Sequence, residues 1–201
     1  LDYKLMNWAR AKLLVKSGQL DGIVGMSRTQ NSEHLYRFSD QALGVSQICF
    51  FRRADDAWQY HSVDSLKSKT FGWINDFGFA SNPEIERWIA THKNSSRVVT
   101  IAGSSAHARL FKLMQIGRID TFAEDRTVIE FELSQLKLPG SLSVAGCTGE
   151  LELVHVAFSL KAPLGPTWSK ALESGIQTMK KNGELQRILL RYGLNEDNWL
   201  K

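Results

Sequence analysis

The sequence has no long hydrophobic run, and its charge is neither strong nor clustered. None of its apolar stretches approaches the roughly 20 residues that a membrane-spanning helix requires, so we expect no direct insertion into a membrane. The net charge of +4 is small and the 25 basic residues are scattered, which argues against nucleic acid as a partner. With 201 residues and 43% hydrophobic content, the chain can bury one good core or two modest ones.

Cysteine is scarce, since Cys49 and Cys147 are the only two in the sequence. Cys49 lies in the apolar stretch 47–51, which is typical of a buried strand. It is either a small core residue or the partner of Cys147 in a disulfide. Neither cysteine has metal-ligand spacing to a histidine, and the five histidines are dispersed. The sequence therefore predicts neither a metal site nor a cofactor.

Catalytic motifs are missing as well. We find no Ser/His/Asp arrangement, no metal-ligand spacing and no phosphate-binding loop, so we expect a binding protein and not an enzyme. Glu124 and Asp125 form an adjacent acidic pair. We interpret this pair as solvated, because neighbouring acids on a strand or helix usually are.

A repeated pattern is present instead, at residues 16–24 and 114–122. In both, an amphipathic helix ends at a glycine, Gly18 or Gly117, which adopts the left-handed conformation without a Cβ penalty. An aspartate and a short apolar run of strand type follow each glycine. The repetition predicts two similar α/β lobes, with a small ligand at the seam between them.

Strand and helix patterns alternate along the rest of the chain. The strand-type stretches are 1–8, 23–26, 45–52, 70–74, 98–101 and 151–160. The helical stretches are 9–17, a segment that begins at 83, a segment that ends at 116, 126–136, and 168–192 with an interruption near 182. Residues 27–32 are a polar loop. This alternation predicts a mainly parallel α/β architecture.

Several motifs in fixed order resemble those of one family. They are GQLDG at 18–22, SRT at 27–29, YRFSD at 36–40, DSLKSKTFG at 64–72, LMQIGRID at 113–120, MKKNGEL at 179–185 and RYGL at 191–194. As a set they resemble the solute-binding proteins of polar amino-acid ABC transporters, the bacterial extracellular solute-binding protein family 3. The resemblance implies a two-lobed type II periplasmic-binding fold. Lobe 1 would comprise residues 1–50 and 155–201, lobe 2 residues 51–154, and two hinge strands would join them.

The start of the chain departs from the family pattern. Family members normally carry a strand and a helix before the position of Leu1, and that strand is central to the first lobe. We therefore expect residues 1–201 to belong to a longer chain, or the N-terminal unit to be disordered or replaced by a partner. The resemblance also implies a periplasmic location and a signal peptide that has been removed.

The resemblance further implies how an amino acid would be held. In the family, an arginine after the Ser-x-Thr loop binds the α-carboxylate, and an aspartate of the second lobe pairs with the α-ammonium group. The arginine position falls on Ser32, whose hydroxyl cannot neutralise a carboxylate. The aspartate position falls on Asp125. The residue that recognises the cationic end of a ligand is therefore kept, whereas the carboxylate clamp is not.

The candidate ligand-binding residues are Trp8, Ser27, Thr29, Asn75, Asp76, Phe77, Ser104 and Asp125. Four of them have a structural alternative. Trp8 stacks on a ligand or packs in a core, and Thr29 donates to a ligand or braces the turn. Ser104 precedes a helix N-terminus that offers N–H groups to an anion, or it caps that helix. Asp125 is an anchor for the ligand or an acid in the first turn of a helix.

The leading hypothesis is an extracytoplasmic protein that captures a small polar solute, an amino acid or an amine, between two lobes for an ABC transporter. Its partners would be that solute and a membrane permease or receptor. One alternative is a ligand-sensing domain of a membrane signalling protein. Another is a scaffold that has lost amino-acid binding.

Overall fold

The computed structural model describes residues 1–75, 77–79, 82–103, 105–149 and 151–194. The chain divides into two compact units. Unit 1 comprises Leu1–Ser46 and the chain from Glu152 onward, and unit 2 comprises Gln47–Leu151. The chain thus crosses from one unit to the other twice. The boundaries that the sequence predicted lie a few residues further along the chain at both crossings.

Helices and strands are numbered here in chain order. The helices are α1 (Trp8–Ser17), α2 (Gln30–Glu33), α3 (Pro83–His92), α4 (Ala106–Gln115), α5 (Arg126–Gln135), α6 (Gly165–Lys181) and α7 (Glu184–Arg191). The strands are β1 (Gly22–Ser27), β2 (Tyr36–Phe38), β3 (Gly44–Ser46), β4 (Ile48–Arg53), β5 (Phe71–Ile74), β6 (Val98–Ile101), β7 (Thr121–Asp125), β8 (Leu142–Cys147) and β9 (Glu152–Ser159). A 3₁₀ helix covers Val63–Ser68.

The first helix begins and ends where the sequence predicted. The side chain of Asn7 accepts a hydrogen bond from the Arg10 N–H (3.4 Å), and Gly18 ends the helix in the left-handed conformation, with φ of 80°. The prediction of a strand over residues 1–8 was wrong. Residues 1–7 form no strand, and the alternating apolar side chains there, Leu1, Tyr3 and Leu5, are exposed. Alternation alone does not make a strand without a pairing partner.

The sheet of unit 1 is antiparallel throughout. Strand β9 lies in the middle, with β1 along one side and both β2 and β3 along the other. The prediction of a mainly parallel architecture was therefore wrong for this unit. Short connections join β1, β2 and β3, and the strand that pairs with them returns from unit 2. The expectation that a further N-terminal strand completes this sheet stays a prediction.

The sheet of unit 2 has the order β6-β5-β7-β4-β8. Strand β5 is parallel to β6 and β7, whereas β4 runs antiparallel to β7 and β8. Side chains of β4 alternate between two cores, as the pleat requires. Cys49 and Phe51 belong to the core on the α4 and α5 side, and Ile48 and Phe50 belong to the core on the other face.

A disulfide joins Cys49 of β4 to Cys147 of β8. Of the two interpretations that the sequence left open, the structure therefore shows the disulfide, and Cys49 is at the same time fully buried in the core. The two residues are direct partners in the ladder between neighbouring strands. Strand β8 was not predicted from the sequence, so nothing indicated that Cys147 would lie opposite Cys49.

The disulfide makes a stability prediction. Cys49 and Cys147 lie 98 residues apart in the sequence, and closing a loop of that length removes chain entropy from the unfolded state. We expect the double variant Cys49→Ser/Cys147→Ser to lose about 4 to 5 kcal/mol in the free energy of unfolding. Urea unfolding of both proteins, with and without dithiothreitol, measures this loss. The reductant should destabilise the unsubstituted protein and leave the double variant unchanged. Equal free energies of unfolding for the two proteins without dithiothreitol would contradict the prediction.

Candidate ligand-binding site

Three parallel strands of unit 2 end at one edge of its sheet. Because β5, β6 and β7 run in the same direction, the residues that follow them meet there. Asn75 follows β5, and its N–H donates to the carbonyl oxygen of Ile101, the last residue of β6 (2.8 Å). Asp125 is the last residue of β7. The structure thus places two of the predicted ligand-binding residues, Asn75 and Asp125, at the same edge.

The loop after β5 also carries Phe77. Its ring is half-buried and packs edge-on against the buried Phe79, with centroids 5.3 Å apart. Its carbonyl oxygen accepts a hydrogen bond from the indole N–H of Trp73 (3.0 Å). Phe77 therefore helps to close the aromatic core on this face of the sheet. The predicted residues Asp76 and Ser104 lie outside the described residues.

Asp125 caps helix α5. Its Oδ1 accepts the Val128 N–H and its Oδ2 accepts the Gln47 N–H, each at 3.1 Å. Of the two roles that the sequence allowed, the helix-terminal one is thus visible in the structure. A carboxylate has about four acceptor positions, and these bonds use two of them. The remaining positions leave the charge of Asp125 able to pair with a cation.

A buried acid directly precedes Asp125. Glu124 is only 4% exposed, so our interpretation of the pair as solvated was wrong for this residue. Its Oε2 lies 3.2 Å from Nε2 of His107 in α4, and its Oε1 accepts the N–H of Asp125 (2.8 Å). The other ring nitrogen of His107, Nδ1, lies 3.8 Å from Oε1 of Glu132 in α5. Neighbouring residues of a strand point to opposite faces, so the two acids have different environments. No local signal in the sequence marks Glu124 as the buried one, because its partner His107 lies 17 residues away.

Burial and charge shift the pKa values of this pair. Burial raises the pKa of Glu124 above its ordinary value, although the hydrogen bond and the charge of His107 act in the opposite direction. Burial lowers the pKa of His107. Its hydrogen bond to Glu124 and the charges of Glu124 and Glu132 outweigh that effect, and the net result is a raised pKa. Both shifts favour the form of the pair that holds a proton.

The predicted loop after β1 is a short capped helix, α2. The Thr29 hydroxyl oxygen accepts the Ser32 N–H (3.2 Å), and the Ser32 hydroxyl oxygen accepts the Thr29 N–H (2.8 Å). The Ser32 hydroxyl also lies 3.3 Å from the carbonyl oxygen of Ser27. For Thr29, the bracing role that the sequence allowed is therefore the one seen. Ser27, the last residue of β1, lies next to this cap.

Arg28, which lies between Ser27 and Thr29 in the sequence, has a partner in unit 1. The Arg28 guanidinium forms an ion pair with Glu33, and both side chains are roughly half exposed. This pairing offsets the positive charge next to Ser32.

Trp8 is half-buried and packs against the core cluster that contains Val15 and Met26. The core-packing alternative for Trp8 is therefore observed, and its role toward a ligand stays a prediction.

The sequence of the chain is similar to those of known proteins. Residues 1–195 match the bacterial extracellular solute-binding proteins, family 3. The chain belongs to this family. It is 26% identical over 199 residues to the probable amino-acid-binding protein YxeM of Bacillus subtilis (strain 168), which covers 98% of this chain and 70% of that protein. The membership that the motifs indicated is confirmed.

Solved structures confirm the α/β periplasmic-binding-protein fold of this family 3 protein. A histidine kinase sensor domain with similarity to periplasmic binding proteins has a TM-score of 0.74 at 17% identity, over 95% of this chain and 77% of that chain. The substrate-binding protein AbpA of Streptococcus pneumoniae, bound to L-arginine, has a TM-score of 0.73 at 19% identity, over 96% and 76%. An ancestral arginine-binding protein bound to glutamine has a TM-score of 0.72 at 21% identity, over 95% and 79%.

Two kinds of feature are absent from the described part of this solute-binding protein. No helix in that part has both the length and the apolar character needed to cross a bilayer. In the same residues, no group of three or more His, Cys, Asp or Glu is arranged to hold a metal ion. The family to which the chain belongs consists of extracellular binding proteins.

The two roles of Asp125 can be separated by substitution. Asn keeps the oxygen that accepts the Val128 N–H, whereas Ala removes it. We expect Asp125→Ala to lower the free energy of unfolding by about 2 kcal/mol, because both hydrogen bonds are lost, and Asp125→Asn to lower it by about 1 kcal/mol, because its amide nitrogen cannot accept the Gln47 N–H. Chemical denaturation of the two variants measures the difference. Equal losses in both would show that capping is not what the side chain contributes to stability.

Proposed function

We propose that this protein binds a small solute with a charged ammonium group, an amino acid or an amine, and delivers it to a membrane ABC permease. The family match over residues 1–195 carries the proposal. Two relatives support the ligand class: YxeM is named a probable amino-acid-binding protein, and AbpA was crystallised with L-arginine. Binding would shift the conformational equilibrium of the protein toward a form that the permease recognises.

Asp125 is the proposed anchor for the ammonium group. A cation that leaves water needs an anion and hydrogen-bond acceptors in place of its hydration shell. Asp125 lies at the end of β7, where backbone bonds to Val128 and Gln47 hold its carboxylate in one orientation. The other proposed contacts are Trp8, Ser27 and Thr29 in unit 1, and Asn75, Asp76, Phe77 and Ser104 in unit 2.

The proposed site does not strongly require its ligand to have a carboxylate. Ser32 occupies the position of the family's arginine, and its polar groups already form the cap with Thr29. The adjacent Arg28 is paired with Glu33. We therefore expect an amine to bind at least as well as the corresponding α-amino acid.

The proposed location is the periplasm. The Cys49–Cys147 disulfide supports it, because disulfides form and persist in oxidising compartments and are rare in the cytosol of most organisms. The family's extracellular character points the same way.

A second candidate function is ligand sensing within a signalling protein. The likeness to a histidine kinase sensor domain favours it. The gene decides between the two: a membrane-spanning segment and a kinase or cyclase module in the same polypeptide would identify a sensor.

A thermal-shift screen tests the proposed ligand class. The panel holds L-arginine, L-glutamine, agmatine (arginine without its carboxylate), putrescine and succinate. A ligand at a hundred times its dissociation constant stabilises the folded state by about 2.7 kcal/mol, which the screen detects. We expect shifts from agmatine or putrescine, and we expect Asp125→Asn to abolish them while it keeps its fold. A folded sample that responds to none of the five compounds would contradict the proposal and favour the scaffold.

A gain-of-function variant tests the missing carboxylate clamp. Ser32→Arg places a guanidinium where the family has one, and we expect it to strengthen L-arginine binding about tenfold relative to agmatine. Ser32→Ala is the matched control, because it loses the same cap without adding charge. Isothermal titration calorimetry measures both ligands on the three proteins. An unchanged ratio of the two affinities in Ser32→Arg would mean that position 32 does not face the carboxylate.

A further inference from the structure

Three titratable side chains from three elements meet beneath the candidate site, and we call them the His107 cluster: His107, Glu124 and Glu132. His107 lies in the first turn of α4, Glu124 lies in β7, and Glu132 lies in α5. Glu124 is opposite Cys49 in the ladder between β7 and β4, so it points to the same side of the sheet as the disulfide. None of these three residues is among the proposed ligand contacts.

The distances in the His107 cluster fit an imidazolium ion. Nε2 lies 3.2 Å from Glu124 and Nδ1 lies 3.8 Å from Glu132. A neutral ring that donates from Nε2 must present the lone pair of Nδ1 to the second carboxylate, which is repulsive. A protonated ring presents an N–H to each carboxylate. The cluster then holds one positive charge between two acids, with Glu124 almost fully buried and Glu132 partly exposed.

A continuous series of hydrogen bonds connects the His107 cluster to the proposed anchor. Glu124 receives His107 on one oxygen and the N–H of Asp125 on the other. The Asp125 carboxylate receives the N–H groups of Gln47 and Val128. Since residues 124 and 125 point to opposite faces of the strand, Glu124 holds the backbone of Asp125 from the core side. Asp125 itself is partly exposed at the end of β7.

We propose that Glu124 and His107 are positioning residues for Asp125, and that loss of the proton from the His107 cluster weakens the binding of an ammonium group at Asp125. This inference rests on the proposed function. Without the proton, Glu124 is a buried carboxylate with no counter-ion, and this state costs free energy. The end of β7 moves because the movement reduces that cost. A displaced Asp125 no longer presents its carboxylate in the orientation that binds the cation.

The direction of the pH dependence follows from the charges around the cluster. Glu124 and Glu132 face the imidazole ring, and Asp125 adds a second negative charge beside Glu124. The pKa of His107 is raised in the folded protein, so its contribution is complete below the ordinary histidine value of about 6.5 and is lost as the pH rises through the raised pKa. The raised pKa of Glu124 acts in the same direction. Binding should therefore weaken toward alkaline pH.

NMR titration of the full chain without ligand tests the positioning step. We expect the His107 ring to titrate above the ordinary histidine value of about 6.5 and the Asp125 amide signal to follow the same inflection. Glu132→Gln should lower the midpoint of both signals, whereas Glu130→Gln on the same helix should not, because Glu130 pairs with Arg126 at the surface. A His107 ring that titrates at or below about 6.5, or an Asp125 amide that does not follow it, would overturn the proposal.

Calorimetry with agmatine tests the consequence for binding, since its primary amine stays charged between pH 5.5 and 8.5. We expect its dissociation constant to rise about tenfold over that range in the unsubstituted protein and to be nearly independent of pH in the double variant His107→Gln/Glu124→Gln, which removes both titrating groups. His61 is an exposed histidine in the same unit, and His61→Gln should keep the full dependence. A pH dependence that survives in the double variant would refute the inference. If agmatine and L-arginine bind at no pH, the proposed function fails, and the NMR titration still decides the positioning step.

Discussion

The bond between Cys49 and Cys147 fastens together the strands through which the chain enters and leaves unit 2. Strand β4 follows the first crossing and β8 precedes the second, so one covalent link closes nearly the whole of unit 2 into a loop. Strand β7, which ends at Asp125, pairs with β4 on the side opposite β8. The position of the proposed anchor therefore depends on β4, which pairs with β7 on one side and with β8, through both the ladder and the disulfide, on the other.

Two neighbouring acids in β7 have opposite environments because a strand alternates its side chains. Asp125 faces the end of the sheet and caps α5, whereas Glu124 is buried and needs a proton donor from α4. The same backbone thus carries a charge that is available to a ligand and a charge that the core must neutralise. The second charge explains why a histidine with raised pKa lies beside the proposed anchor.

Local features could be predicted from the sequence, and features that depend on distant pairing could not. Asn7 and Gly18 marked the ends of α1 because capping is decided by a few adjacent residues. The helix-terminal alternative for Asp125 was also predicted, whereas its role toward a ligand, which comes from its spacing in a family motif, stays a prediction. Strand β8 and the antiparallel sheet of unit 1 were missed, and the disulfide was only one of two alternatives, because each depends on which strand lies beside which. The burial of Glu124 was missed for the related reason that its partner, His107, is 17 residues away.

The central position of β9 has a consequence for the order in which the chain folds. Strands β1, β2 and β3 each pair with β9 and are made before it, so their sheet cannot form until the chain has been extended past residue 159. Unit 2 is a single continuous segment and contains every strand of its own sheet. During synthesis, the inserted unit is therefore complete while Leu1–Ser46 still lack the strand with which they pair.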